Sequence, residues 1–142
     1  MLGYVYLLTN PAMPGLVKVG RSRSKATYRA GQLYTPGVPL PFVVCVEKAF
    51  FDCVAGEKYA HELLAEKRIN PRREFFECDV SYAAMVIDMA AEVDTSNSQG
   101  NRPASSIDIE RHYSAIAAEI EKKRQAERKR FPFFATQAAG SK

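Results

Sequence analysis

The sequence predicts an α+β fold: a small three-stranded antiparallel sheet flanked by helices, followed by a C-terminal helical arm. Three observations carry that prediction. Two short runs rich in β-branched and aromatic residues open the chain on either side of one turn-forming stretch. A third, nearly continuous apolar run follows at 42–51, and helical spacing recurs after it. Composition then shifts sharply at residue 94, where a polar stretch separates this part from a long charged helix.

The opening runs, Gly3-Tyr4-Val5-Tyr6-Leu7-Leu8 and Gly15-Leu16-Val17-Lys18-Val19-Gly20, flank Thr9-Asn10-Pro11-Ala12-Met13-Pro14 and predict a β-hairpin. Strand alternation puts Tyr4, Tyr6 and Leu8 on one face with Leu16, Lys18 and Gly20. Val5, Leu7, Val17 and Val19 take the other. Ser22 or Ser24 is placed to cap a helix over 25–33, which Gly31 weakens. Thr35-Pro36-Gly37-Val38-Pro39-Leu40-Pro41 is a loop, since its prolines lack the N–H that a ladder needs. Residues 42–51, interrupted by Glu47-Lys48, are expected as a strand buried on most of its length and central to the hairpin. Asp52 caps a helix over about 53–67, with Val54, Tyr59, Ala60, Leu63 and Leu64 as its core stripe. Glu57 and His61 stand four apart and share a face of that helix. A loop at 68–73 leads to a short strand at 74–78. A helix over 80–93 closes the core with Ala83, Ala84, Val86, Ile87 and Ala90.

Residues 94–106 are expected as a flexible linker between a domain at 1–93 and a basic helix and tail at 107–142. Ser106 is the expected cap of that last helix. Its stripe of Ile109, Tyr113, Ile116 and Ile120 leaves homo-oligomerisation open, and its end is suited to phosphates through Lys122, Lys123, Arg124 and Arg128. The closing Phe131-Pro132-Phe133-Phe134 is expected to dock on the body or on a partner.

A chain of 142 residues, 46% hydrophobic, holds one domain and an appendage. No apolar run is long enough for a membrane span, and the opening residues lack a signal peptide's pattern, so a cytoplasmic location is expected. Cys45, Cys53 and Cys78 lack zinc-ligand spacing and are expected as reduced thiols. The net charge of +4 is mild. Residues 1–92 carry eleven Lys or Arg against ten Asp or Glu, so affinity for nucleic acid there depends on a local patch: Lys18, Arg21, Arg23, Lys25 and Arg29.

The pattern Val5-Tyr6-Leu7-Leu8, a short loop, Lys18-Val19-Gly20 and then Arg29 resembles the GIY-YIG nuclease superfamily. The stretch 10–21 and Arg73-Glu74-Phe75-Phe76 are similar to its phage-T5-type branch, in which lysine stands at the second tyrosine position. The likeness runs from about Leu2 to Met89.

The resemblance implies a metal-dependent endonuclease that hydrolyses phosphodiester bonds, with double-stranded DNA as partner. By matching positions it implies that Tyr6 orients or deprotonates water, that Lys18 polarises Tyr6 or a phosphate oxygen, and that Arg29 answers transition-state charge. Glu57 matches the metal-binding glutamate, with Glu74 as rival ligand, for Mg²⁺ or Mn²⁺ held only together with substrate. His61 is its catalytic neighbour; Tyr4, Gly20 and Asn70 support the site. Where many members have a histidine or tyrosine one turn after the arginine, this chain has Leu33, with Tyr34 beside it. The alternative is a noncatalytic nucleic-acid-binding module on the same scaffold.

Overall fold

The structure, a computed structural model, describes residues 1–131. The final Pro132-Phe133-Phe134 of the aromatic stretch lies outside the described residues. Strands β1 (Gly3–Thr9) and β2 (Leu16–Ser22) form the expected hairpin, with Tyr6 opposite Gly20 and Leu8 opposite Lys18. The sheet has four strands rather than three. β3 (Val43–Phe50) pairs with the far side of β1, and the short β4 (Phe75–Glu77) pairs with Leu16, Val17 and Lys18 of β2, giving the antiparallel order β3-β1-β2-β4.

β3 is therefore an edge strand, not the central one expected, and Val43, Cys45 and Glu47 are exposed. A bulge accounts for part of the difference. Leu7 faces Val46 whereas Leu8 faces Val44, so Cys45 is the extra residue that shifts the register.

The two sheet faces are covered by different helices. Val5, Leu7, Val17 and Val19 pack beneath α2 (Cys53–Leu63) and α3 (Val80–Asn97), in a core with Phe50, Leu64, Phe76, Val86 and Ile87. Asp52 caps α2 as expected, accepting from the Ala55 N–H at 3.2 Å. The buried stripe of α2, however, is Cys53, Gly56 and Ala60, with Leu64 just beyond its end; Val54 and Leu63 are exposed. Small residues win because the helix approaches Phe50 so closely that a Cβ on Gly56 would stand 2.5 Å from that ring.

On the opposite face, α1 (Ala26–Leu33) buries Ala26 and Ala30 against Tyr6 and Leu8. Neither serine caps it. The Ser22 hydroxyl accepts from the Ser24 N–H within a turn, while the Ala26 N–H donates to Glu47 Oε2 at 2.6 Å, across from β3. Glu47 lies opposite Tyr6, on the tyrosine face, which is why it can reach the start of α1.

The expected linker is partly helical, because α3 continues to Asn97. The Asp94 carboxylate accepts from the Phe51 and Asp52 N–H groups at 2.8 and 3.0 Å, and Arg102 stacks over Phe51 while forking onto Asp108 at 2.8 and 2.9 Å. Helix α4 (Ser106–Arg130) is led in by Ser105, whose N–H donates to Asp108, a reach-back that satisfies an orphan donor. Ile109 is buried. Contacts divide the chain between Ile109 and Glu110 into two compact units. In the second, the described residues from Glu110 onward are exposed except half-buried Tyr113. No helix among the described residues is long and apolar enough to cross a membrane.

Candidate active site

A gap in the sheet makes room for the site. β4 pairs with β2 only as far as Lys18, so the strand edge from Val19 onward must find other partners. At Val19 these come from two elements: its N–H donates to the Glu74 carbonyl at 3.2 Å, and its carbonyl accepts from His61 Nε2 at 2.8 Å. Just beyond, at Gly20, the phenol of Tyr6 crosses the strand. A Cβ on Gly20 would stand 2.5 Å from the Tyr6 hydroxyl oxygen and 2.6 Å from Cζ, so only glycine leaves space for the ring there.

Side chains reach this edge from both sheet faces. Tyr6 and Lys18 come from the face beneath α1, the shared face expected from strand alternation, and Arg29 comes from α1 itself. Glu57 and His61, one turn apart on α2, come from the other. Glu74 enters at the start of β4. Lys18 Nζ lies 3.2 Å from Glu74 Oε2 and 5.1 Å from the centre of the Phe75 ring; Arg21 Nε lies 3.5 Å from Glu57 Oε1. Both carboxylates are thus partly neutralised at rest. Strand β4 positions Glu74 through its aromatic pair, Phe76 buried in the core and Phe75 tilted against Phe42.

The electrostatics follow from this crowding. Burial pushes the Tyr6 phenol above its ordinary value; interaction with the Arg29 guanidinium opposes the rise, while the charges of Glu74 and Glu57 add to it. Burial likewise pushes the Glu57 carboxyl above the usual carboxylate range, helped by Glu74 and opposed by His61, Arg21 and Lys18. Because Glu74 acts on both titrations and Glu57 acts on Tyr6, the groups Tyr6, Arg29, Glu57, Glu74, His61, Arg21 and Lys18 form one interacting set.

His61 is oriented by its environment. A carbonyl can only accept, so Nε2 carries the hydrogen and Nδ1 alone remains for other chemistry; the ring rests 5.2 Å from Phe76. Tyr4 is buried on the Tyr6 face. Asn70 acts within its own loop, its side chain accepting from the Arg72 N–H at 2.9 Å and its carbonyl from the Arg73 N–H at 3.0 Å, a turn that leads directly into Glu74. Arg23 and Lys25 are exposed at the approach to α1. Lys122, Lys123, Arg124 and Arg128 are exposed on α4, in the second unit.

Two participants have roles that sequence reasoning does not reach. Arg21 reads from the sequence as a phosphate ligand, not as the partner of Glu57, and Glu47 reads only as an interruption of an apolar run although it fixes the start of the helix that bears Arg29. The available signal for Glu47 is its position as the first acid in the chain, set within an apolar run on the tyrosine face.

Among the described residues no group of three or more His, Cys, Asp or Glu side chains is placed to hold a metal ion. The donor chemistry present is the Glu57 and Glu74 pair. That fits a hard cation such as Mg²⁺, which is ordinarily held by one or two carboxylates with waters and substrate phosphates completing its shell.

The family model described as T5orf172 domain matches residues 3–94. No curated protein and no solved structure matches the chain.

Proposed function

The chain belongs to the T5orf172 domain family, and from that premise we propose that it is a metal-dependent endonuclease that hydrolyses phosphodiester bonds in double-stranded DNA, on the lysine-bearing branch of the GIY-YIG pattern. The observation that carries the proposal is the gathering of Tyr6, Arg29, Lys18, Glu57, Glu74 and His61 at the interrupted edge of β2, with Gly20 making room for the phenol.

Each group has a task consistent with its surroundings. Tyr6, its pKa raised, keeps its proton at neutral pH and orients the attacking water by hydrogen bonding rather than by removing a proton. Arg29 faces the negative charge that develops on the phosphoryl oxygens. Glu57 and Glu74 would hold Mg²⁺ or Mn²⁺, which when bound supplies positive charge against a phosphate oxygen. A carboxylate oxygen left over takes the proton of the water. With Nε2–H engaged by Val19, His61 uses Nδ1: protonated, it donates to the leaving oxygen. Lys18 and Arg21 transfer from their carboxylate partners to substrate phosphates, joined by Arg23 and Lys25; the basic end of α4, in the second unit, supplies phosphate contacts of its own.

Incubation of supercoiled plasmid with the protein in Mg²⁺, and separately in Mn²⁺, tests the proposal. Nicking by the wild type that is lost in Glu57→Ala and in Tyr6→Phe supports it. DNA binding with no nicking in either metal would instead favour a noncatalytic binding module.

A further inference from the structure

The charge of the first unit is strongly polarised along the chain. From Met1 to Val46 there is no Asp or Glu, while Lys18, Arg21, Arg23, Lys25 and Arg29 all fall within that stretch. Every acid of the nearly neutral domain follows it, beginning with Glu47. Two large aromatic side chains stand in solvent inside this acid-free stretch: Tyr28 is 63% exposed and Tyr34 is 50% exposed. Tyr28 is next to Arg29, and Tyr34 ends the same helix, about 9 Å further along its axis at the ordinary helical rise.

Folding does not account for two open tyrosines here. The core contacts of α1 are made by Ala26 and Ala30, with Leu33 partly buried, and neither tyrosine contributes to that cluster. The segment that follows Tyr34 is held in place rather than loose. Asn10, the one buried polar residue among those described, donates to the Leu40 carbonyl at 2.7 Å while accepting from the Ala12 N–H at 2.9 Å, and Val38 N–H closes a turn onto Thr35. Exposed aromatic side chains in a cation-bearing, acid-free segment on a fixed support have the composition of stacking positions for bases. A base can reach such a ring only where it is not paired and stacked within a helix.

We propose that Tyr28 and Tyr34 are two separate base-stacking positions on the helix that carries Arg29, so that the favoured substrate is duplex DNA interrupted by unpaired bases, such as a flap, rather than continuous duplex. This rests on the nuclease reading for its consequence in cleavage, but its binding consequence is separate. The cations hold the backbone of either DNA, and the rings discriminate between them.

The test compares a fully paired duplex with the same duplex carrying a single-stranded flap. Binding is measured with chelator present, using the full chain and its Tyr28→Ala, Tyr34→Ala, Tyr28→Phe and Tyr34→Phe variants. The wild type is expected to bind the flap DNA more tightly. Each alanine variant should weaken flap binding by about fivefold to about 150-fold, the range that stacking of one base on an aromatic ring provides, and should leave duplex binding within about twofold, as charge sets that affinity. Both phenylalanine variants keep the ring and should bind flap DNA like the wild type. Equal losses on the two DNAs, or no loss on either, would overturn the stacking role. If the tyrosines discriminate as expected but neither DNA is cleaved in Mg²⁺ or Mn²⁺, the stacking role stands and the nuclease reading falls.

Discussion

Replacing Gly20 by alanine is the most direct probe of the site, because one methyl group meets one functional side chain. The new Cβ would lie 2.5 Å from the Tyr6 hydroxyl oxygen and 2.6 Å from Cζ, where ordinary contacts begin near 3.4 Å. The phenol must therefore retreat by about 1 Å. It cannot do so by moving the backbone, because Tyr6 and Gly20 are paired across the hairpin and β1 is held by β3 on its other side. The ring has to tilt away from the strand edge. Overpacking of this kind costs about 1–3 kcal/mol, and alanine recovers about 0.4–1 kcal/mol through a less flexible unfolded chain. A net loss of about 1 kcal/mol lowers the melting midpoint by about 4–8 °C for a domain of this size. Activity should suffer more, since a shift of about 1 Å in a positioning group can cost about a hundredfold in rate. Single-turnover nicking and thermal melting read the two effects separately. On a Tyr6→Ala background the same Gly20→Ala change has no ring to meet and should be neutral or stabilising. A Gly20→Ala protein that nicks DNA at the wild-type rate would refute the role given to the phenol over Gly20.

Glu57→Gln should abolish nicking yet raise the melting midpoint at pH 7. The sign follows from burial: a carboxyl whose folded pKa lies above its unfolded value costs the fold stability as pH rises from the unfolded to the folded pKa, so the gain in the glutamine variant should vanish below about pH 4, where both states are protonated. In the metal-free protein, side-chain carboxyl NMR should show Glu57 titrating above the usual carboxylate range and moving down in Glu74→Gln, because the Glu74 charge contributes to the rise; an unmoved titration would show that Glu74 does not act on Glu57. Truncation after residue 93 should melt lower than truncation after residue 109, because it discards the Asp94 bonds to Phe51 and Asp52; equal midpoints would show those bonds to be dispensable. Deleting 110–142 should flatten the salt dependence of DNA binding, by about 0.9 in log K against log salt for each phosphate that α4 would otherwise neutralise, while sparing the rate at saturating DNA.

Local patterns are legible in the sequence wherever a period decides them. Alternation alone places Tyr6, Lys18 and Gly20 on one face, and the four-residue spacing places Glu57 beside His61. What escapes depends on long-range approach. An apolar run does not say whether its strand is central or at an edge, and the bulge at Cys45 leaves no mark in its composition. In α2, side-chain size is a poor sign of burial, because the proximity of Phe50 selects Gly56 and Ala60 and turns Val54 outward. The serines before α1 have the right chemistry for capping, but Glu47, twenty-one residues from Ala26 in sequence, takes the task.

The resting ion pairs have a further consequence when treated as linked equilibria. Arg21 is engaged with Glu57 and Lys18 with Glu74, so the cations suited to a polyanion and the carboxylates suited to a divalent ion occupy one another. A phosphate that draws off Lys18 releases Glu74, and an ion that draws off Glu74 releases Lys18. Each ligand thus bears part of the other's cost of opening the site, and thermodynamic reciprocity requires the two affinities to rise together by the same factor. If the proposed ligands bind there, each should bind the protein more weakly alone than in the presence of the other.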